Sequence, residues 1–434
     1  MRVAVVALGK IGLPLAVQIA SKGFEVVGAD VSAKVVDLVT AGIPPFPGEA
    51  DLDHRLDRVV SDGLLRATSD TTAAVAESGV VIVVVPLMTD LDGVPDFSAM
   101  DAATQSIAAG LQPGTLVSYE TTLPVGTTRN RFGPMLEKGS GRAVGTDLFL
   151  VHSPERVFSG RIFSDLRRYP KLVGGVDEES TRRGVGFYES ILDFDERPDL
   201  ARPNGVWAME SVEAAELAKL AETTYRDVNI ALANEFGAYA EQVGVDVAAV
   251  IEAANSQPYS HIHRPGVAVG GHCIPVYPRF YLSGHPGAQL VETARRVNLS
   301  VPIRVVETLS ERLGGLGGQT VLILGAAYRG GVKESVYSGV FDLKREVEQE
   351  GGRALVSDPL YSGDELRFLG LEPWDGEQVD GVIVQADHPE YAQLGPDDVP
   401  GVKVLYDGRG IVERGRWEGS GIEVLVIGQG STSD

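Results

Sequence analysis

Cysteine is nearly absent: the 434 residues contain one, Cys273. An intramolecular disulfide is therefore impossible, and the reducing cytoplasm is the expected compartment. Positive charge is also scarce. Lys and Arg number 38 against 60 Asp and Glu, a net charge of −22. Such an acidic chain is not expected to bind nucleic acid or anionic membrane, and a phosphorylated ligand would need local donors. No apolar run reaches the ~18 residues of a membrane span. The apolar N-terminus lacks the charged region and cleavage site of a signal peptide, and no metal site is expected.

Glycine is abundant, at 52 residues, and falls in turns between apolar runs rather than in a collagen-like repeat. Residues 2–8 (RVAVVAL) read as a buried strand, with a glycine turn and then a helix over Leu13–Ser21. Phe24–Ala29 is the next strand, ending at Asp30 and completing a βαβ unit. Further strands are expected at Gly79–Val85, Thr115–Tyr119 and Leu148–Val151. From Trp207 to about Gln242 a helical period takes over, with apolar positions at Leu217, Leu220, Thr224, Val228, Ala231, Leu232, Phe236 and Tyr239. A short helix at Val245–Ala254 and a Gly/Pro-rich loop over Asn255–Pro278 follow. A second long helix over Gln289–Leu313 is expected to be interrupted or kinked at Pro302. Strands resume at Gln319–Leu324 and recur near Arg353–Ser357, Gly381–Gln385 and Lys403–Tyr406. The tail Gly428–Asp434 is expected to be disordered. The fold class is therefore α/β: two Rossmann-like doubly wound domains joined by a central long-helix segment, divided as 1–205, 206–316 and 317–434.

The turn after the first strand reads Ala7-Leu8-Gly9-Lys10-Ile11-Gly12, a dinucleotide fingerprint with Ala7 in place of its first glycine. Gly9 lets a pyrophosphate approach the backbone beside Lys10 and Ile11, and Gly12 lets the helix pack on the strand. Asp30 stands where a carboxylate reaches ribose hydroxyls and repels a 2′-phosphate, so NAD is expected rather than NADP. The bland alternative is a tight turn with Asp30 as a surface cap.

Four further constellations each allow two readings. Cys273, after Gly270-Gly271-His272, is either an inert packed thiol or one placed beside a ligand. A dyad with His272 is not expected, because neighbours in extended chain point apart. Glu216, Lys219, Thr223 and Arg226 share one helix face. That face is either solvated, with a Glu222–Arg226 pair, or it holds Lys219 as a fixed cation in an active site. The segment Glu120–Thr128 follows a strand at the end where doubly wound sheets bind ligands, yet it could simply cap the next helix. Ser153-Pro154-Glu155-Arg156 also lies just past a strand, as a site or as a plain loop.

Together these residues resemble the UDP-glucose/GDP-mannose dehydrogenase family, over nearly the whole chain. The resemblance rests on Pro154-Glu155-Arg156-Val157, on residues 225–235 (YRDVNIALANE) and on residues 270–276 (GGHCIPV), in that order and spacing. It is strongest toward the branch acting on UDP-N-acetylhexosamines. It implies an NAD-dependent, four-electron oxidation of the C6 hydroxymethyl of a UDP-sugar to the uronic acid, in polysaccharide biosynthesis. UDP-N-acetylmannosamine is the first candidate substrate, with UDP-glucose and UDP-N-acetylglucosamine as alternatives. Residues 1–205 would bind NAD, 206–316 would form a homodimer and carry the cysteine loop, and 317–434 would bind the UDP-sugar.

By the same resemblance Cys273 is the nucleophile, Lys219 stabilises the oxyanion, Glu155 serves thioester hydrolysis, and Thr122 lies near the nicotinamide and the catalytic water. Thr223 joins the catalytic set and Thr89 the cofactor contacts. Substrate contacts fall on Arg156, Lys219, Tyr259, Arg264, Gly270, Arg329 and Arg409, with Arg264 reaching across a dimer interface. A nearby cation such as Lys219 helps a thiol react as thiolate at neutral pH.

Three positions depart from the family pattern. Thr223 stands where an Asn is usual, and Tyr277 where an Asp is usual. A phenol is a poor base near neutral pH. The segment Tyr328–Glu334 lacks the usual acidic run, and Val336 occupies the place of an arginine that contacts cofactor. The alternatives these departures suggest are an oxidation that stops after two electrons, or a sugar-nucleotide binding protein without catalysis.

Overall fold

A strand buried on both faces must be apolar at consecutive positions, and Val3–Val6 are all fully or nearly fully buried. They belong to β1 (Arg2–Val6). The computed structural model describes residues 1–90 and 93–430. The strands of the N-terminal half continue with β2 (Glu25–Ala29), β3 (Leu65–Thr68), β4 (Val80–Val83) and a small hairpin of β5 (Met88–Thr89) and β6 (Pro95–Asp96). They end with β7 (Thr115–Tyr119), β8 (Leu148–His152), β9 (Lys171–Gly175) and β10 (Val206–Ala208). The C-terminal half holds β11 (Thr320–Leu324), β12 (Arg353–Ser357), β13 (Gly381–Val384), β14 (Val404–Asp407) and β15 (Glu423–Val426).

Two compact units result. The first comprises Met1–Glu222 with Arg279–Gly284, and the second Thr223–Pro278 with the chain from His285 onward. In the first, the eight-stranded sheet has the order β10-β9-β8-β7-β4-β1-β2-β3. The six strands from β3 to β8 are parallel. With the hairpin set aside they follow the 3-2-1-4-5-6 order of a dinucleotide-binding sheet. Beyond them β9 turns antiparallel to β8 and β10 pairs parallel with β9. The doubly wound sheet expected from the alternating strands and helices is thus mixed, not wholly parallel, at this edge. In the second unit, β12-β11-β13-β14-β15 are parallel throughout, the 2-1-3-4-5 order. In each sheet the order reverses beside the first strand, and sites in such sheets lie at the carboxyl ends of the strands flanking that point.

Several element boundaries differ from the sequence expectations. The first strand stops at Val6, because Ala7 takes a left-handed φ of 76°. The first long helix is Val212–Val243, and residues 206–208 upstream are strand. The second, Gln289–Leu313, runs unbroken through Pro302. Cys273 lies at the start of a helix, Cys273–Gly284, which carries Pro278 in its interior, so the expected loop ends early. Of the expected disordered tail, Gly428 and Gly430 are hydrogen-bonded to Glu241 and Val245, and residues 431–434 lie outside the described residues. Among the described residues, no helix is long and apolar enough to cross a membrane.

Candidate active site

The fingerprint turn is shaped by one forbidden methyl group. A Cβ on Gly12 would collide with the Ala7 carbonyl oxygen and touch Val84, whereas Gly9 is exposed with open space around it. Asp30, at the end of β2, spans the turn: Oδ2 accepts the Leu8 N–H at 2.8 Å and Oδ1 the Ser32 N–H at 2.9 Å. A close-packed helix start, an open glycine and an anchored acid at the next strand fit an NAD adenosine and pyrophosphate. Lys10 and Ile11 are half-buried in this turn, and Thr89 is half-buried in the β5–β6 hairpin. Gly12→Ala is expected to cost about 1–3 kcal/mol of stability through overpacking and to weaken NAD binding about tenfold or more. Thermal denaturation and a fluorescence titration with NAD measure both, and a variant with unchanged midpoint and affinity would contradict the assignment.

The segment after β7 is fixed from two sides. Thr121 Oγ1 donates to the Val85 carbonyl at 2.6 Å. The Glu216 carboxylate accepts from the Gly126 N–H at 2.5 Å, the Thr128 N–H at 2.9 Å and the Thr128 hydroxyl at 2.7 Å. Thr122 is buried within this clamped stretch. Burial pushes the Glu216 carboxyl up to about 7 against the pull of its donors. The helix face that could have been solvated is buried: Glu216, Lys219 and Thr223 all lie inside. Glu222 accepts from Arg156 Nε at 2.7 Å, and its other oxygen lies 3.6 Å from Lys219 Nζ.

Next to this pair, Lys171 Nζ lies 2.5 Å from Glu120 Oε2 and 3.0 Å from Glu155 Oε2. Tyr188 donates to Glu120 Oε1 at 2.6 Å. Glu155 Oε1 accepts the backbone N–H of Arg156 at 2.6 Å and of Val157 at 3.2 Å. Burial pushes both carboxyls up. For Glu120 it wins, to about 7, with the Glu155 charge adding to it against Lys171. For Glu155 the Lys171 ammonium and the backbone donors win, and it sits below the ordinary carboxylate range. Burial would lower Lys171, but its two carboxylates hold it above the ordinary lysine range. Glu155, Arg156 and Lys219 are candidates that the sequence names singly, and Glu120 enters it only as the start of the segment 120–128. Lys171 is not among them, although a lysine heading the apolar run KLVGG signals a buried counter-charge.

In the second unit, the chain reaches Cys273 through two glycines pressed on one aromatic. A Cβ on Gly270 would meet Tyr328 and the Tyr337 carbonyl, and Gly271, at φ 84°, faces the Tyr328 ring. Cys273 is half-buried and unbridged. His272 packs edge-on against Tyr277 and Tyr337, with ring centroids 5.7 and 6.0 Å away, and burial lowers its basicity. Arg295 Nη1 donates to the Ile274 carbonyl at 3.2 Å and pairs with buried Asp227 at 3.4 Å. Asn229 and Asn234 hold the backbone of His263 and Gly266. The YRDVNIALANE segment therefore orders the loop that leads to the cysteine.

At the sheet ends of this unit, Asp407 accepts the N–H groups of residues 409–412 and so shapes the turn that bears Arg409. Arg409 donates to the Gln385 and Tyr328 carbonyls. Arg329 Nε donates to the Tyr328 hydroxyl at 3.2 Å, so Gly270, Arg329 and Arg409 converge on Tyr328. Tyr259 and Arg264 are exposed, Tyr259 at 91%, and are not brought to this cluster. Val336 is exposed.

Residues 1–192 match the NAD binding domain of the UDP-glucose/GDP-mannose dehydrogenase family, and residues 213–300 its central domain. A UDP-N-acetyl-D-mannosamine dehydrogenase of Pyrococcus horikoshii is 34% identical, covering 95% of this chain and 96% of its own. The chain belongs to the UDP-glucose/GDP-mannose dehydrogenase family. It is an NAD-dependent nucleotide-sugar dehydrogenase, an oxidoreductase, as its relatives are. The solved structure of UDP-D-ManNAc dehydrogenase from Pyrococcus horikoshii superposes with a TM-score of 0.89 at 33% identity, over 99% of this chain and 100% of that one. A UDP-glucose dehydrogenase of Pyrobaculum islandicum gives a TM-score of 0.86 at 26% identity, over 99% and 98%. An NDP-N-acetyl-D-galactosaminuronic acid dehydrogenase of Ralstonia nicotianae is 30% identical over 94% of this chain and 96% of its own. Family members of differing sugar names thus all resemble the chain over nearly its full length.

Proposed function

We propose that this dehydrogenase oxidises the C6 hydroxymethyl of a UDP-sugar, foremost UDP-N-acetylmannosamine, to the carboxylate through covalent catalysis by Cys273. The observation that carries this reading is the pair of glycines packed on Tyr328 just before a half-buried thiol at a helix start. This packing fixes the backbone that leads into the helix start and so holds the thiol in one place as a nucleophile. The roles of Glu155, Lys219, Thr122 and Thr223, and of Arg156, Tyr259, Arg264, Arg329 and Arg409 toward substrate, belong to the same proposal. So does the division of labour among residues 1–205, 206–316 and 317–434.

When bound at the Gly9–Gly12 turn, NAD supplies the acceptor for the hydride that leaves C6 in each oxidation. Lys219 stabilises negative charge on the C6 oxygen as its proton departs. The Cys273 thiolate then bonds to the aldehyde carbon, and the oxygen takes up a proton. Loss of the second hydride and of that proton leaves a thioester. Water adds to its carbon, the C–S bond breaks with its electron pair on sulfur, and Glu155 accepts the proton released by the water.

The test is NADH release with UDP-N-acetylmannosamine, UDP-N-acetylglucosamine, UDP-glucose and GDP-mannose. Two NADH per sugar is the expected result with UDP-N-acetylmannosamine. One NADH per sugar would favour the second reading, oxidation that ends at the aldehyde, to which Tyr277 lends weight. No NADH with any sugar would sink the enzyme reading. A homodimer through the long helix is supported by Tyr225, Leu232, Phe236 and Tyr239, exposed on one stripe of it. Light scattering on the same preparation checks it, and a monomer mass would refute it.

A further inference from the structure

Glu155 does not stand alone. Glu120 follows β7, Lys171 opens β9, and Tyr188 comes from the helix Glu178–Ile191 behind them. The Glu120 and Lys171 side chains are 0% and 5% exposed, and that of Glu155 only 10%. A structural ion pair needs one carboxylate, but here two carboxylates share one ammonium. Burying an unbalanced cluster is unfavourable, and packed apolar residues would hold these strands as well. We propose that Lys171 is a positioning residue for Glu155: clamped between two carboxylates, its ammonium fixes Glu155 as an oriented acceptor, and the charge on Glu120 sets how firmly. This rests on the reading of Glu155 as the base of thioester hydrolysis.

The other charged groups around Glu155 are already engaged. Arg156 turns its guanidinium to Glu222, which also faces Lys219. Asp165, across the small cavity that Glu155 lines with Tyr169, pairs with Arg161. His152, at the end of β8, is neutral, since burial and the Lys171 charge push it down to about 3. Tyr188 is held protonated by burial and by Glu120. The charge Glu155 experiences therefore changes chiefly through Glu120. While Glu120 is protonated, Lys171 acts on Glu155 alone and Glu155 binds protons weakly. Once Glu120 ionises, two carboxylates share the ammonium and Glu155 becomes the stronger base. Burial that lifts Glu120 to about 7 puts this change near neutral pH, so hydrolysis should gain a rising step there.

The experiment is a pH profile of the hydrolysis phase, in single turnover with NAD and UDP-N-acetylmannosamine, for wild type, Lys171→Met, Lys171→Arg and Glu120→Gln. Lys171→Met should move the acid limb up by about 1–3 pH units, since Glu155 loses its cation. Lys171→Arg should restore the limb, and Glu120→Gln should erase the step near neutral pH. Infrared titration of the sugar-free proteins is the second arm. The difference between wild type and Glu120→Gln should show a protonated carboxyl that titrates near pH 7. Lys171→Met should add a carboxyl protonated at neutral pH. A uniform loss of rate with the limb in place, or a step that survives Glu120→Gln, overturns the proposal. If Lys171→Met does not fold, Lys171→Arg and Glu120→Gln still decide it. If the wild type oxidises no sugar, the functional reading fails, whereas the infrared bands still support or overturn the positioning role.

Discussion

Cys273→Ser should reduce formation of the acid product by on the order of 10⁴-fold, the scale seen when a unit of a nucleophilic site is disabled. The two side chains differ by one atom, so the helix start and the glycines on Tyr328 have no reason to move. The chemistry differs greatly. A serine hydroxyl has almost no alkoxide at neutral pH without a dedicated base. The neighbouring ring cannot serve as one, since His272 is packed edge-on between Tyr277 and Tyr337. An oxygen adduct, if formed, would yield an ester rather than the more reactive thioester. The first oxidation does not need the sulfur, so at most one NADH per sugar should appear. Mass spectrometry of the wild type, quenched during turnover, should find the sugar on the peptide containing Cys273. Full acid formation by the serine variant would end the covalent mechanism.

Much of this was legible in the chain, for identifiable reasons. Gly12 and Asp30 act through backbone sterics and a strand-end carboxylate, which depend on local spacing: a Cβ on Gly12 would strike the Ala7 carbonyl, and Asp30 bridges the turn. The lysine stripe was legible as a face but not as buried or solvated. Periodicity gives the side of a helix, while burial depends on what packs there. Of the apolar positions on this helix, Leu232, Phe236 and Tyr239 are exposed, whereas the polar Glu216 and Thr223 are buried. The polar face is inside because the Thr128 and Gly126 donors meet Glu216 there, a contact made across 88 and 90 residues of chain. Long-range pairing also hid Lys171, whose partners lie 51 and 16 residues away. β9 as a whole was missed because residues 171–175 are few, end in two glycines and carry no sign of strand direction. The helix at Cys273 was read as loop because Pro275 and Pro278 argue against helix; Pro275 falls in the first turn, where proline is tolerated, and Pro278 lies in the interior.

Lys219→Met should lower kcat about 10²–10³-fold with little change in KM. The argument is electrostatic. An alkoxide must form at the C6 oxygen before hydride leaves, and a donor aimed at such a charge is worth ~2.7–4 kcal/mol in a water-poor site. The Lys219 side chain is 5% exposed, so its ammonium acts where screening is weak. Glu222 stands 3.6 Å away and gives its other oxygen to Arg156 at 2.7 Å, so one carboxylate divides between two cations. Because the charge develops only in the transition state, its loss should fall on kcat rather than on binding. Deuteration at C6 gives a second readout: with alkoxide formation impaired, the hydride step becomes more rate-limiting and the isotope effect should grow. Lys219→Arg should recover little, since a planar guanidinium cannot take the place of a compact ammonium in a buried position. A rise in KM with kcat preserved would make Lys219 a substrate anchor instead, and the oxyanion would then need another donor, for which the buried hydroxyl of Thr223, one turn further along the same helix, is the nearest in sequence.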